Sequence, residues 1–75
     1  MKYAVIGGSM SGLAEATIIE LKKKGFFIFA LDIRNEEREE EATLYIKTDL
    51  TKNEDIERAR IIVETKTDKV DSIAN

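Results

Sequence analysis

The 75-residue chain contains no cysteine, histidine, proline, tryptophan or glutamine. Without cysteine there can be no disulfide and no thiolate metal site. Without histidine the commonest zinc ligand and the commonest general base are missing, and no metal centre is expected. An excess of positive charge is lacking too: 12 Lys and Arg stand against 15 Asp and Glu, a net charge of −3. No basic stripe is available to follow a nucleic-acid backbone, so nucleic acid is not an expected partner. No apolar run approaches the roughly 20 residues that span a bilayer, and the N-terminus lacks the charged, apolar and small-residue pattern of a secretory signal. The expectation is no membrane partner and a cytoplasmic location.

What the chain does have is charge, 36% of its residues, with a leaning toward Glu, Lys and Ile that hyperthermophile proteins share. Its length suits one domain, and a domain this small buries only about 60% of the surface its unfolded form exposes. Such folds need a staple. With disulfides and thiolate metal sites excluded, the expected staples are a bound ligand or a second subunit.

The apolar pattern changes period along the chain. Lys2 to Gly7 (KYAVIG) and Phe26 to Asp32 (FFIFALD) are apolar on both faces, as in buried parallel strands. Between them, Ser11 to Lys24 is helical in period. Ala14, Thr17, Ile18 and Leu21 fall on one face, Lys22 to Lys24 complement the dipole, and Gly25 acts as a left-handed stop. Asn35 to Glu41 (NEEREEE) has no apolar period and reads as a solvated loop, too short and polar to cover a sheet as a crossover helix would. Thr43 to Lys47 alternates as a third strand. Thr51 and Glu54 have the spacing of a capping box, opening a helix to about Lys66 with Ile56, Ala59, Ile62 and Val63 inward. Val70 to Asn75 reads as a fourth strand. The expected fold is α/β, a Rossmann-like open parallel sheet of β-α-β-β-α-β order with strands arranged 3-2-1-4 and one helix on each face. A ligand would sit where the strand order reverses, between strands 1 and 4.

The stretch Val5 to Ala16 (VIGGSMSGLAEA) joins the first strand to the first helix, where free amides and the helix dipole favour an anion. A tight turn without a ligand is the alternative. Gly7 and Gly12 have P-loop spacing, but Leu13 and Ala14 occupy the positions of its Lys and hydroxyl residue. The G-x-G-x-x-G pattern fails at Ser9, where its middle glycine would let the backbone approach a pyrophosphate.

Gly8-Ser9-Met10-Ser11-Gly12-Leu13-Ala14 resembles the G-x-x-x-G-x-G loop of the short-chain dehydrogenase/reductase family, with Ala14 replacing the last glycine and Gly7 standing where the family usually has Thr. Gly12 to Thr17 leads without a gap to Leu21, Gly25 and Asp32, as in that family. Asp49-Leu50-Thr51 resembles its Asp-Val-Thr segment, and Val70 to Asn75 the strand entering its Asn-Asn-Ala-Gly signature, cut after the first Asn. The resemblance implies a dinucleotide site. Gly8, Ser9 and Ser11 would shape the loop, with the backbone of Gly12 and Leu13 facing the pyrophosphate. Asp32, with Ile33 beside it, would take the ribose diol and disfavour a 2′-phosphate, so NAD is expected over NADP. Asp49 and Leu50 would wall the adenine, and Asn75 would stand near the adenine ribose. Arg34 is the one nearby cation that could take a 2′-phosphate.

The family's catalytic Tyr-x-x-x-Lys has no counterpart: Tyr45 is followed by Asp49, and Tyr3 by Gly7, at the fourth position. No catalytic residue is assigned, and the chain alone is not expected to turn over. One expectation is therefore an NAD(H)-binding half-domain truncated before its catalytic residues, pairing with itself or with a complementing C-terminal half. The other is a non-enzymatic module that self-associates through apolar surface around Phe27, Phe29 and Ile46.

Overall fold

The computed structural model of the protein describes residues 1–74. Strand β1 (Lys2–Gly7) and strand β2 (Phe26–Asp32) pair in parallel from Lys2↔Phe26 to Gly7↔Leu31. Both are apolar on both faces because a helix lies on each side. Helix α1 (Gly12–Lys23) sets Ala14 and Ile18 against Ala4, Ile6, Ile28 and Ala30. The alanines on this face let the helix close on the sheet. On the other face Phe29, Leu31 and Ile46 meet Ala59 and Val63 of helix α2 (Asn53–Lys66). There Tyr3, Phe27 and Phe29 pack with ring centroids 5.4–6.0 Å apart, a spacing at which aromatic pairs attract.

The sequence bounds of the first helix hold once its caps are separated from its body. Ser11 is the N-cap, its Oγ accepting the Ala14 amide at 3.2 Å. Lys24 is the C-cap, and Gly25 beyond it takes φ +85°, the left-handed conformation that costs glycine least.

The full sheet order is β3-β4-β2-β1-β5, with strand β4 (Thr43–Lys47) parallel to β2, and strand β5 (Ser72–Ala74) parallel to β1. The expected 3-2-1-4 order is present as β4-β2-β1-β5. The difference is strand β3 (Arg38–Glu40), which comes from the acidic stretch expected to be a loop and runs antiparallel along the outer edge of β4. Its residues are exposed, so the stretch is solvated as expected, but it is not unstructured. The reason is reach. The chain must return along β4 within residues 33–42, and an extended strand covers about 3.3 Å per residue against about 1.5 Å for a helix. Glu41 and Ala42, at φ +37° and +59°, make the hairpin turn into β4.

Three further expectations need correction. The capping box does not form: the N-cap of α2 is Lys52, without a side-chain cap bond. Thr51 donates both its amide and its hydroxyl to Asp49 Oδ1, at 2.9 and 2.6 Å. A carboxylate two residues back is closer than the helix amide and makes the stronger, charge-assisted bond. On α2, Ala59 and Val63 are buried and Ile62 is partly buried, but Ile56 is 43% exposed at the rim of the helix face. Nor do Phe29 and Ile46 offer an apolar surface for self-association, because α2 buries both. Exposed apolar side chains on the side of α2 that faces β1 and β5 include Leu50, Ile56 and Ile73. Among the described residues, no helix is long and apolar enough to cross a membrane.

Ile46, 1% exposed beneath α2, has no room to lose volume without a void. Ile46→Val is expected to cost about 1 kcal/mol. Urea unfolding should show a lowered midpoint with unchanged slope, and Ile61→Ser on the exposed side of α2 should leave the midpoint where it was.

Candidate functional site

The site is built at the C-terminal ends of β1, β2 and β4. After β1 the chain turns at Gly8, whose φ of +67° would strain any other residue. The Ser9 amide donates to Leu31 O at 3.0 Å, and the Ser11 amide closes the turn on Gly8 O at 3.0 Å. Among the described residues, the Gly12 and Leu13 amides find no acceptor, since the caps take Ala14 and Glu15. A Cβ built on Gly12 meets nothing within 4 Å, so the space beside this residue is open. Two free donors at a helix start fit an anionic group.

Asp32 closes this mouth from the β2 side. Its carboxylate is only 5% exposed and takes four donors. Oδ2 accepts the Met10 amide of the loop at 3.1 Å and Arg34 Nη2 at 3.0 Å; Oδ1 accepts the Arg34 amide at 2.9 Å and Arg34 Nε at 3.0 Å. The Arg34 guanidinium, followed by the backbone amides of Arg34 and Met10, holds the Asp32 carboxyl far below the usual carboxylate range, against the opposing effect of burial. So the ribose-type acid expected from the sequence does lie at the glycine loop, but it is already paired. The Arg34 side chain is 59% exposed.

Sequence reasoning missed Asn35. It is 5% exposed, and its Nδ2 donates to Ala30 O at 2.8 Å and to Ile46 O at 3.0 Å, bridging the ends of β2 and β4. Its Oδ1 accepts the Ser9 hydroxyl at 3.4 Å. The Ser9 side chain, 3% exposed, therefore faces the sheet and not the open space above the loop. Asn35 was hidden by its acidic neighbours. The only signal was an amide residue at a strand end ahead of a run of glutamates.

The remaining expected residues are spread around the mouth. Ile33 is 52% and Leu13 81% exposed. Asp49, at the end of β4, is engaged by Thr51, which holds its carboxyl below the ordinary value; its amide donates to Asp55 Oδ2 at 2.8 Å. Leu50 is partly open to solvent. Asn75 lies outside the described residues. A cavity of about 530 Å³ opens between α1 and the β3–β4 hairpin, bordered by Ser9, Met10, Ile18, Arg34 and Tyr45. It lies where a crossover helix would cover β4. Arg38 partly fills that role, its guanidinium 3.9 Å from the centre of the Tyr45 ring. On the opposite face an apolar groove of about 380 Å³ runs between α2 and β1 and β5, lined by Val5, Leu50, Ile56, Val63 and Ile73.

The Asp32 pairing gives a signed pH dependence. The folded-state pKa lies below the unfolded value of about 3.9, so the unfolded chain binds the proton more readily. The stabilisation is complete above that unfolded value and fades as pH falls below it. Asp32→Asn should melt well below the wild type at pH 7, and the gap between the two melting temperatures should narrow toward pH 3.

No protein-family model matches the chain. It is 31% identical over 80 aligned positions to an NAD-dependent glycerol dehydrogenase of Listeria innocua, covering 99% of this chain and 32% of that protein. Among solved structures, a short chain dehydrogenase from Leptospira borgpetersenii with bound NAD+ superposes with TM-score 0.83 at 16% identity, over 99% of this chain and 30% of that one. A 3-ketoacyl-(acyl-carrier-protein) reductase from Brucella melitensis, complexed with NADH, gives TM-score 0.81 at 24% identity over 96% of this chain and 32% of that one. A 4-hydroxyisoleucine dehydrogenase complexed with NADH gives 0.79 at 25% identity, over 97% and 31%. The chain spans about a third of the length of these proteins. In sequence and in fold it matches the N-terminal, dinucleotide-binding part of the short-chain dehydrogenase/reductases.

Proposed function

We propose that this chain binds NAD(H) through its adenosine diphosphate portion, as the nucleotide-binding half of a short-chain dehydrogenase/reductase. One observation carries the reading: the Asp32 carboxylate accepts the amide of Met10 and so ties the end of β2 to the loop that leads into the free Gly12 and Leu13 amides. In this reading those amides take the pyrophosphate and Asp32 takes the ribose diol. Ile33, Asp49 and Leu50 flank the adenine. Gly8, Ser9 and Ser11 act through backbone shape and capping. When bound, the cofactor supplies a hydride donor or acceptor at its nicotinamide ring. The residues of this chain bind and orient it, and the catalytic acid or base is not assigned to them. A cytoplasmic setting, where the cofactor is at hand, accords with a chain without cysteine.

NAD is preferred to NADP in this reading because Asp32 opposes a 2′-phosphate, while the Ser9 hydroxyl is turned inward and Met10 brings no charge. Arg34 complicates the exchange. A carboxylate has about four acceptor positions, and all four on Asp32 are used, two of them by the Arg34 side chain. The ribose hydroxyls must therefore displace the guanidinium.

Titration with NADH and NADPH, followed by fluorescence, tests the reading. Asp32→Asn is expected to weaken NADH by roughly tenfold or more, and Arg34→Ala to tighten NADH while widening its advantage over NADPH. Absence of binding of both cofactors to the wild type at millimolar concentration would refute the proposal.

A second reading, self-association, draws support from the apolar groove with Leu50, Ile56 and Ile73 exposed beside the short edge strand β5. Sedimentation decides it. A second copy seated on the groove predicts a dimer at micromolar concentration that Ile56→Glu dissociates, whereas a strict monomer ends this reading.

A further inference from the structure

The glycine loop carries the free amides, yet little within the loop fixes its height over the sheet. Its peptide groups are held by the Ser9 bond to β2, the Met10 bond to Asp32 and the turn at Gly8. Its one inward side chain, Ser9, rests on Asn35. The orientation of the Asn35 amide follows from its surroundings: two carbonyl oxygens, of Ala30 and Ile46, face it from the strand ends and require donors, so Nδ2 must turn to them and Oδ1 to the Ser9 hydroxyl. The Asn35 backbone amide also donates to Asp32 O at 3.2 Å. One residue thus touches the glycine loop, the end of β2 beside Asp32, and the end of β4. The β2–β4 ladder and the Thr48 amide, which donates to Asp32 O at 3.0 Å, join these two strand ends directly, and Asn35, the buried side chain of the return segment, adds the glycine loop to them.

We propose that Asn35 is a positioning residue for the dinucleotide. Its amide fixes the glycine loop relative to the ends of β2 and β4, and through this sets the Gly12 and Leu13 amides against Asp32. The proposal rests on the dinucleotide-binding reading for the identity of the ligand, but the geometry of the loop is read independently of it.

The experiment compares amide hydrogen exchange, by NMR, and NADH affinity in the wild type, Asn35→Ala and Val63→Ala. Val63, buried under α2 on the far face of the sheet, supplies a control that loses stability without touching the loop. At a temperature where all three are folded, Asn35→Ala should exchange the Ser9 and Met10 amides about tenfold faster than Val63→Ala and bind NADH about tenfold more weakly. Amides within α2 should stay protected. If Asn35→Ala does not fold, Ser9→Ala removes only the hydroxyl contact and should accelerate the Met10 amide selectively, by a few-fold. Loop exchange in the folded variant no faster than in the Val63→Ala control would overturn the positioning role. A wild-type chain that takes up no NADH at millimolar concentration would instead overturn the cofactor reading, so the two failures appear in different signals.

Discussion

The pairing of the Asp32 carboxylate holds the glycine loop to the end of β2. A carboxylate only 5% exposed cannot be left without partners, because removing a charge from water costs several kcal/mol unless hydrogen bonds replace the hydration. Its partners come from the two segments that must meet there. Met10 belongs to the loop that starts α1, and Arg34 to the segment that leaves β2. The demand of one charge for donors thus fixes where the helix begins relative to the strand. An apolar residue in its place would offer neither segment an acceptor.

The second constraint is the shortness of the connection between β2 and β4. Residues 33–42 return along the sheet as an extended edge strand, which meets the distance but leaves the α1 face of β4 without a helix. The structure compensates in three ways. Asn35 pins the strand ends, Arg38 lies over Tyr45, and Glu37 and Glu39 reach Arg58 and Lys66 of α2. The last two pairs are solvent-exposed, and such pairs contribute little each. They anchor the return segment toward α2, and the space toward α1 stays open as the larger cavity.

This division explains what could be read from the residues alone. β1 and β2 were legible to the residue because a strand covered by helices on both faces must be apolar on both, and glycine bounds each; β4, open on its α1 face, was legible from its alternation. The strand-to-helix turn and the meeting of Asp32 with it were legible because so tight a turn needs small residues, and the next parallel strand ends beside it. β3 was not. Every residue of it is exposed, so burial imposes no pattern on it, and its turn uses Glu41 and Ala42 at positive φ where glycine or asparagine would have signalled a hairpin. The Thr51 cap failed for a related reason: spacing shows which bonds are possible, but the nearer Asp49 carboxylate took the hydroxyl. Asn35 looked like one more polar residue in a charged run, and only the meeting of three segments in space gives it a buried role.

Fold stability and ligand binding draw on the same atoms here, and this need not set them in conflict. If ribose hydroxyls replace the Arg34 side chain at Asp32, the carboxylate exchanges one pair of donors for another and is never left unpaired, while Met10 keeps its bond throughout. The guanidinium that leaves is already more than half exposed, so it regains hydration readily. A ligand that binds only the folded chain adds its own stabilisation, about 2.7 kcal/mol at a hundred times its dissociation constant. Against the several kcal/mol by which folded proteins are typically stable, that is a large share. The cofactor would then act as a staple on the same atoms that hold the loop to β2.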